Sequence, residues 1–364
     1  TGVQTCALPI LKKLTKIGVS ALAGSLVATA ASAGSLSVGG TWEVTGEYTH
    51  GAGAAAFKAL NNNGNPFGSK GNLSFSGSGE TDFGTASFYL FTNDQQSGTS
   101  SHSVSLDMGD MGTVAFDQGT GGYGLGTIDD KAPSAYEEVW NGTTATNTDI
   151  MDGAGGSANV FGYKNTIMGM DLTVEYDPSV GDGDAGDGAN SFTDANYDGS
   201  NINFAVTNAT LVDGLTFGAG YGETSWDRES GTTTKTETNS VAAFANYAFG
   251  PVTVGVQQNY TSGSVGATGI HAQANEVTIM GIAFNVNDNL SVSYQDYENK
   301  YLKSSTAATG STGQADVTQD ADGIQVAYTM GGATLRISDV TVDNSGGTAG
   351  DSEDRTEVSL LMAF

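Results

Sequence analysis

Between residues 117 and 152 the chain carries seven carboxylates, Asp117, Asp129, Asp130, Glu137, Glu138, Asp149 and Asp152, against one lysine, Lys131. Carboxylates gathered this densely beside a narrow aqueous passage hold cations and repel anions, because low-dielectric walls focus their field. On an open surface the same residues would only solvate a loop. Two further acidic stretches follow, Asp182-Gly-Asp184-Ala-Gly-Asp187 and Asp194-Ala-Asn196-Tyr-Asp198-Gly199. The second matches the first half of an EF-hand loop, with Asp194, Asn196 and Asp198 as calcium ligands, but Ala205 stands where the bidentate Glu belongs. A structural calcium here competes with a solvated acidic turn, and no other cofactor is expected. Enzymatic chemistry finds little footing: His50, His102 and His271 lie far apart, and none has a compelling nucleophile and carboxylate partner in sequence. The one cysteine, Cys6, supports neither a disulfide nor a thiolate metal site.

What positions these residues is indicated first by composition. The 364 residues include 13 Lys+Arg and 40 Asp+Glu, a net charge of −27, yet only 15% are charged, against about 25% in an ordinary soluble domain. Nucleic acid is excluded as a partner, since phosphate binding needs clustered Lys and Arg. Disorder is excluded because 38% of residues are apolar and fall in short alternating runs. The 53 glycines follow no collagen period, and only five prolines accompany them.

Lys12, Lys13 and Lys16 precede an apolar stretch from Ile17 to Ala28, which leads into Ala31-Ser32-Ala33 before Gly34. A positive end, a short apolar middle and a small-x-small site make a secretory signal peptide over 12–33, cleaved after Ala33. Residues 1–11 are read as a non-native flank, leaving 34–364 as a single domain. Loss of the three signal lysines leaves ten basic residues against 40 acidic ones.

Beyond residue 33 the recurring signal is period two. Leu172-Thr-Val174-Glu-Tyr176, Val252-Thr-Val254-Gly-Val256 and Leu290-Ser-Val292-Ser-Tyr294 each alternate an apolar residue with a small or polar one. Sixteen such strands are predicted, near 35–48, 70–78, 83–92, 101–108, 112–117, 158–164, 170–177, 201–208, 215–223, 240–248, 252–260, 275–284, 290–299, 321–329, 333–342 and 355–364. Short turns and long polar loops alternate between them without exception. A soluble sandwich has no reason to place every long loop at one end. A transmembrane barrel does, and closure removes the sheet edge that hydrocarbon could not satisfy. Aromatics at both strand ends, including Tyr48, Tyr176, Tyr247, Phe284 and Tyr328, read as interfacial girdles. The last strand alternates to a terminal aromatic, Phe364, the pattern of a barrel-assembly terminus.

At this level the sequence resembles the general porins of Gram-negative outer membranes, most of all the alphaproteobacterial type. Asn72-Leu-Ser-Phe75-Ser-Gly77 with Glu80-Thr-Asp82-Phe83-Gly84-Thr85 is similar to the family's second hairpin, and His102 to Gly119 resembles the next, whose Gly-x-x-Gly turn leads toward the constriction loop. The resemblance spans essentially all of 34–364. It implies a sixteen-stranded antiparallel barrel, a homotrimer, and a third long loop folded into the lumen. The family's Pro-Glu-Phe-Gly-Gly loop segment is absent, and the arginines that usually face the loop are largely missing.

On this reading Asp117, Asp129, Asp130, Glu137 and Glu138 line the pore constriction. Strand parity turns Glu43, Glu47, Lys70, Asp107, Lys164, Glu175, Arg336, Arg355 and Glu357 toward the lumen, with Lys70, Lys164 and Arg336 forming a weak basic wall opposite the loop. A charge on the lipid side near mid-membrane would cost roughly 2–4 kcal/mol. The expected function is passive outer-membrane diffusion of small hydrophilic solutes and ions, preferring cations, after export through the cleaved signal. Expected partners are outer-membrane lipid, those solutes, further copies of the chain, and the barrel-assembly machinery through the C-terminal strand. A substrate-specific channel, marked by a basic or aromatic lumen track, and a surface adhesion or receptor barrel remain as alternatives.

Overall fold

The computed structural model describes residues 34–55, 58, 60–61, 64–94, 98–141, 143, 159–178, 198–227, 236–262, 272–303 and 315–364. The flank and signal segment, 1–33, together with Asp149, Asp152, Asp194, Asn196 and His271, lie outside the described residues.

Sixteen strands form. They are β1 (Ser35–Ala52), β2 (Phe67–Thr81), β3 (Gly84–Thr92), β4 (Thr99–Asp107), β5 (Thr113–Gln118), β6 (Val160–Ile167), β7 (Met170–Asp177) and β8 (Asp198–Asn208). The second half comprises β9 (Leu215–Asp227), β10 (Thr236–Phe249), β11 (Val252–Ser262), β12 (Ala272–Asn287), β13 (Leu290–Lys303), β14 (Val317–Met330), β15 (Ala333–Asp343) and β16 (Ser352–Ala363). Each pairs antiparallel with its sequence neighbours, and β1 pairs with β16 to close the barrel. Closure sets Trp42 opposite Met362 and Glu47 opposite Glu357. Phe364 extends the seam, its N–H donating to the Gly40 carbonyl at 2.9 Å.

The short turns follow from local chemistry. Between β6 and β7, Met168 and Gly169 both have positive φ, 55° and 78°. That is the two-residue geometry whose twist matches paired strands, and Ile167 pairs with Met170 across it.

Burial is inverted relative to a soluble protein. On β11 the valines 254 and 256 are exposed, while Gln257, Asn259 and Thr261 are buried. An apolar outside and a hydrogen-bonded polar inside is the arrangement that suits a hydrocarbon solvent. The fold is a closed transmembrane β-barrel.

Several strands run past their predicted ends. β13 continues to Lys303 and β14 begins at Val317, rather than ending at 299 and starting at 321. Both faces of these extensions carry polar residues, so the alternation fades while the backbone ladder continues. β8 likewise starts at Asp198, opposite Asp227, and Gly199 is extended strand where a calcium loop would turn sharply.

Candidate functional site

The longest connection leaves β5 and turns inward at once. The Asp117 carboxylate, on the inner face, accepts the Thr120 N–H at 3.2 Å and the Thr120 hydroxyl. Gly119, Gly121 and Gly124 take positive φ of 72°, 70° and 67°, letting the chain reverse over the barrel wall. The Tyr123 ring then covers Gly162 of β6, where a Cβ would come within 2.3 Å of it.

From there the segment is hung on side chains of the inner wall. Asn203 of β8 accepts the Leu125 N–H at 2.6 Å, and Leu125 and Ile128 pack on Ala205, Ala242 and Phe244. Gln257 of β11 donates to the Asp129 carbonyl at 2.5 Å and accepts the Lys131 N–H at 2.5 Å. Gln295 of β13 donates to the Ala132 carbonyl at 3.1 Å and accepts the Val139 N–H at 3.2 Å. Gln325 of β14 accepts the Ser134 hydroxyl at 2.6 Å and donates to the Glu137 carbonyl. A side-chain amide both donates and accepts, so one glutamine can close a ring with a backbone strand as another strand would. Pro133 sits flat on Gly255 and Gly281, at which a Cβ would lie 2.5 Å from its Cδ and its carbonyl oxygen respectively. Val139 and Trp140 complete a buried apolar cluster with Val277, Ile279, Tyr297, Val340 and Val342.

The segment ends over a charged cluster. The Tyr136 hydroxyl donates to Glu357 at 2.7 Å, and Arg336 lies 4.2 Å from the centre of the Tyr136 ring. Arg336 pairs with Glu43 at 2.5 Å, and Lys70 reaches the same carboxylate at 3.5 Å. Arg355 donates to the Asn141 carbonyl at 2.6 Å and pairs with Glu357, with Glu47 at 3.2 Å and with Glu137 at 3.6 Å. Four carboxylates thus meet three cations.

The sequence-predicted residues fall into distinct places. Asp117 is buried and serves the turn, and Asp129 contributes its carbonyl to the wall contacts. Glu137 is held by Arg355 and by the Asn141 amide at 2.9 Å. Burial, and next the charge of Glu357, pushes the Glu137 carboxyl up, with Arg355 opposing. Asp130 and Glu138 lie side by side next to Lys131, whose ammonium is 3.4 Å from Asp130. Burial, reinforced by the hydrogen bond and charge of Asp130, pushes Glu138 up to about 7. Glu175 is buried on the inner face, with the Asn203 amide 3.3 Å away, and Asp107 accepts the Gly109 N–H at 2.9 Å.

Of the three cations expected opposite the loop, two lie against it instead, while Lys70 stays on β2 beside Glu43. Arg336 stacks directly beneath Tyr136, and Lys164 lies 5.7 Å from the Tyr123 ring. Parity fixes which face a residue takes but not its height or its bearing around the barrel. The anchoring glutamines, the seating glycines and the inward apolar residues of β12, β13 and β15 were not singled out from sequence. Inward Gln reads there as mere solubilising polarity.

This architecture is the porin fold. The chain is similar to the outer-membrane protein OmpT of Vibrio cholerae in its trimer form, with 15% identity, 91% of this chain and 100% of that one covered, and a TM-score of 0.60. It is similar at 10% identity to the outer-membrane channel DcaP of Acinetobacter baumannii, covering 92% and 98% with a TM-score of 0.61. The anion-selective porin of Comamonas acidovorans aligns at 15% identity over 91% and 100%, with a TM-score of 0.57. No protein-family profile matches the chain, and no curated protein sequence does.

Proposed function

We propose that the protein is a passive outer-membrane porin that passes small hydrophilic solutes and ions down their gradients and prefers cations. The observation that carries the reading is the segment 119–141, pinned to the inner wall of a sixteen-stranded barrel. It narrows the lumen while presenting Asp130 and Glu138 against the single Lys131. Sixteen strands enclose a wide aqueous lumen, and such a segment is what would set its aperture. Beneath it the wall sets Glu43, Glu47 and Glu357 against Lys70, Arg336 and Arg355, and Glu137 of the segment brings that cluster to four carboxylates against three cations, so its balance is also negative. In a passage bounded by low-dielectric walls that sign favours cations.

The exposed apolar strand faces support a place in lipid, the resemblance to trimeric porins supports a homotrimer, and the pattern from Lys12 to Ala33 supports export through a cleaved signal. No cofactor or reaction is required. Purified protein in a planar bilayer tests the reading. Step-like conductance with a reversal potential of cationic sign across a KCl gradient is expected. Anion preference would remove the selectivity claim, and a folded barrel without conductance would remove the channel.

A further inference from the structure

The wall of β2, β3 and β4 is unlike the rest of the lumen. Apart from its first residue, Gly119, which lies beside the buried Ser101 of β4, the inner segment leaves β5 to make its contacts on β6 to β16 and on β1, and β2, β3 and the rest of β4 occupy the remaining arc. β3 turns Phe88 outward, opposite Gly77 and Val104, and so turns Ser87, Tyr89 and Phe91 inward. Pairing places a serine on each side of each. Ser74 and Ser101 flank Phe91, and Ser76 and Ser103 flank Tyr89. Ser78 and Ser105 flank Ser87 in the row below.

The two rings are half-buried, 6.2 Å apart and 15° from parallel. None of the nine positions carries charge. The adjoining inward charges are otherwise engaged: Asp117, across from Ser103, holds Thr120, Lys70 holds Glu43, and in the row below Ser87 Asp107 accepts the Gly109 N–H and Glu80 the Thr85 hydroxyl. Serine is short enough to leave the ring surfaces uncovered and can both donate and accept.

This combination discriminates by chemistry. An ion gains little from neutral hydroxyls beyond what water gives it. A wholly apolar solute would strip those hydroxyls of water without replacing its hydrogen bonds. A solute with a flat C–H face and a rim of hydroxyls satisfies both the rings and the serines, and that describes a pyranose. We propose that Tyr89, Phe91 and the serines beside them form a lumen-wall subsite for neutral oligosaccharides. The subsite deepens the channel reading and rests on it for transport, though its binding can be measured without conductance.

Maltohexaose is a suitable probe, with polyethylene glycol of equal mass as the size control. Calorimetric titration of the detergent-purified barrel should show saturable maltohexaose binding and none for the glycol. The pair Tyr89→Ala and Phe91→Ala should weaken binding about tenfold or more, the scale of losing two aromatic contacts. Tyr89→Phe should keep most of the affinity, and Phe88→Leu on the outer face should keep all of it. In a bilayer, maltohexaose should interrupt the current with dwell times that shorten in the double variant. A folded wild-type barrel that does not bind maltohexaose, or a folded double variant that binds it undiminished, overturns the subsite. Binding without conductance upholds the subsite and removes the channel.

Discussion

Glu138 is the residue whose titration should be visible in transport. Its carboxyl is raised to about 7 by burial and by Asp130, so it carries charge above that pH and loses it below. Cation preference should therefore fall as pH is lowered from about 8 to about 6, where an ordinary carboxylate with its pKa near 4.3 would change nothing. Glu138→Gln should remove that step and lower cation preference at pH 8, both read from reversal potentials. Arg355 makes a different kind of contribution. It is buried, touches Glu47, Glu137 and Glu357, and holds the Asn141 carbonyl. Arg355→Met would leave those carboxylates partly uncompensated inside the protein, and breaking such a buried pair typically costs about 3–5 kcal/mol. The expected outcome is a lower melting temperature by circular dichroism together with noisier open-channel current, because the far end of the inner segment loses its tether.

At the scale of elements, the strands were legible because a half-apolar sheet in lipid forces strict alternation, as in Val252 to Val256 and Leu290 to Tyr294. Their upper ends were not, because Lys300 to Lys303 pair where no apolar face marks them. The path of residues 119–141 was not legible either. Its seats are Gly255, Gly281, Gln257 and Gln325, far away in the chain and individually ordinary. The acids were found by their density, but proximity to Arg355 or Asp130 could not be read without that path. The glycine seats give a direct test of what holds the segment. A Cβ at Gly281 would sit 2.5 Å from the Pro133 carbonyl oxygen and 2.9 Å from its nitrogen, so backbone must move. Gly281→Ala should change single-channel conductance while the β-sheet spectrum stays intact. Gly79→Ala, where a Cβ meets nothing within 4 Å, should leave conductance as it is. Equal conductance in all three proteins would show that the segment is not the narrowest part of the path.

For the whole molecule, the net charge of −27 matters less than where the acids lie. On the outer face of β13 and β14, Tyr294 and Ile324 are followed toward the loops by Asp296 and Asp322, which face each other across the pair. Those acids bathe in solvent above the apolar band, where salt screens them. The acids inside would act across a passage whose low-dielectric walls focus their field. Both sets would attract cations at low ionic strength, and the distance over which they act separates them. The Debye length is about 30 Å at 0.01 M salt and about 3 Å at 1 M. Exterior carboxylates should therefore raise conductance above proportionality to salt only in the dilute range. Asp130 and Glu138, on the proposed constriction, should retain part of their effect at 1 M. The expected record is a permeability ratio that favours cations at every salt concentration and declines to a plateau above unity. A ratio reaching unity at 1 M would assign the selectivity to the mouth, and Glu138→Gln should then alter neither the ratio nor its salt dependence.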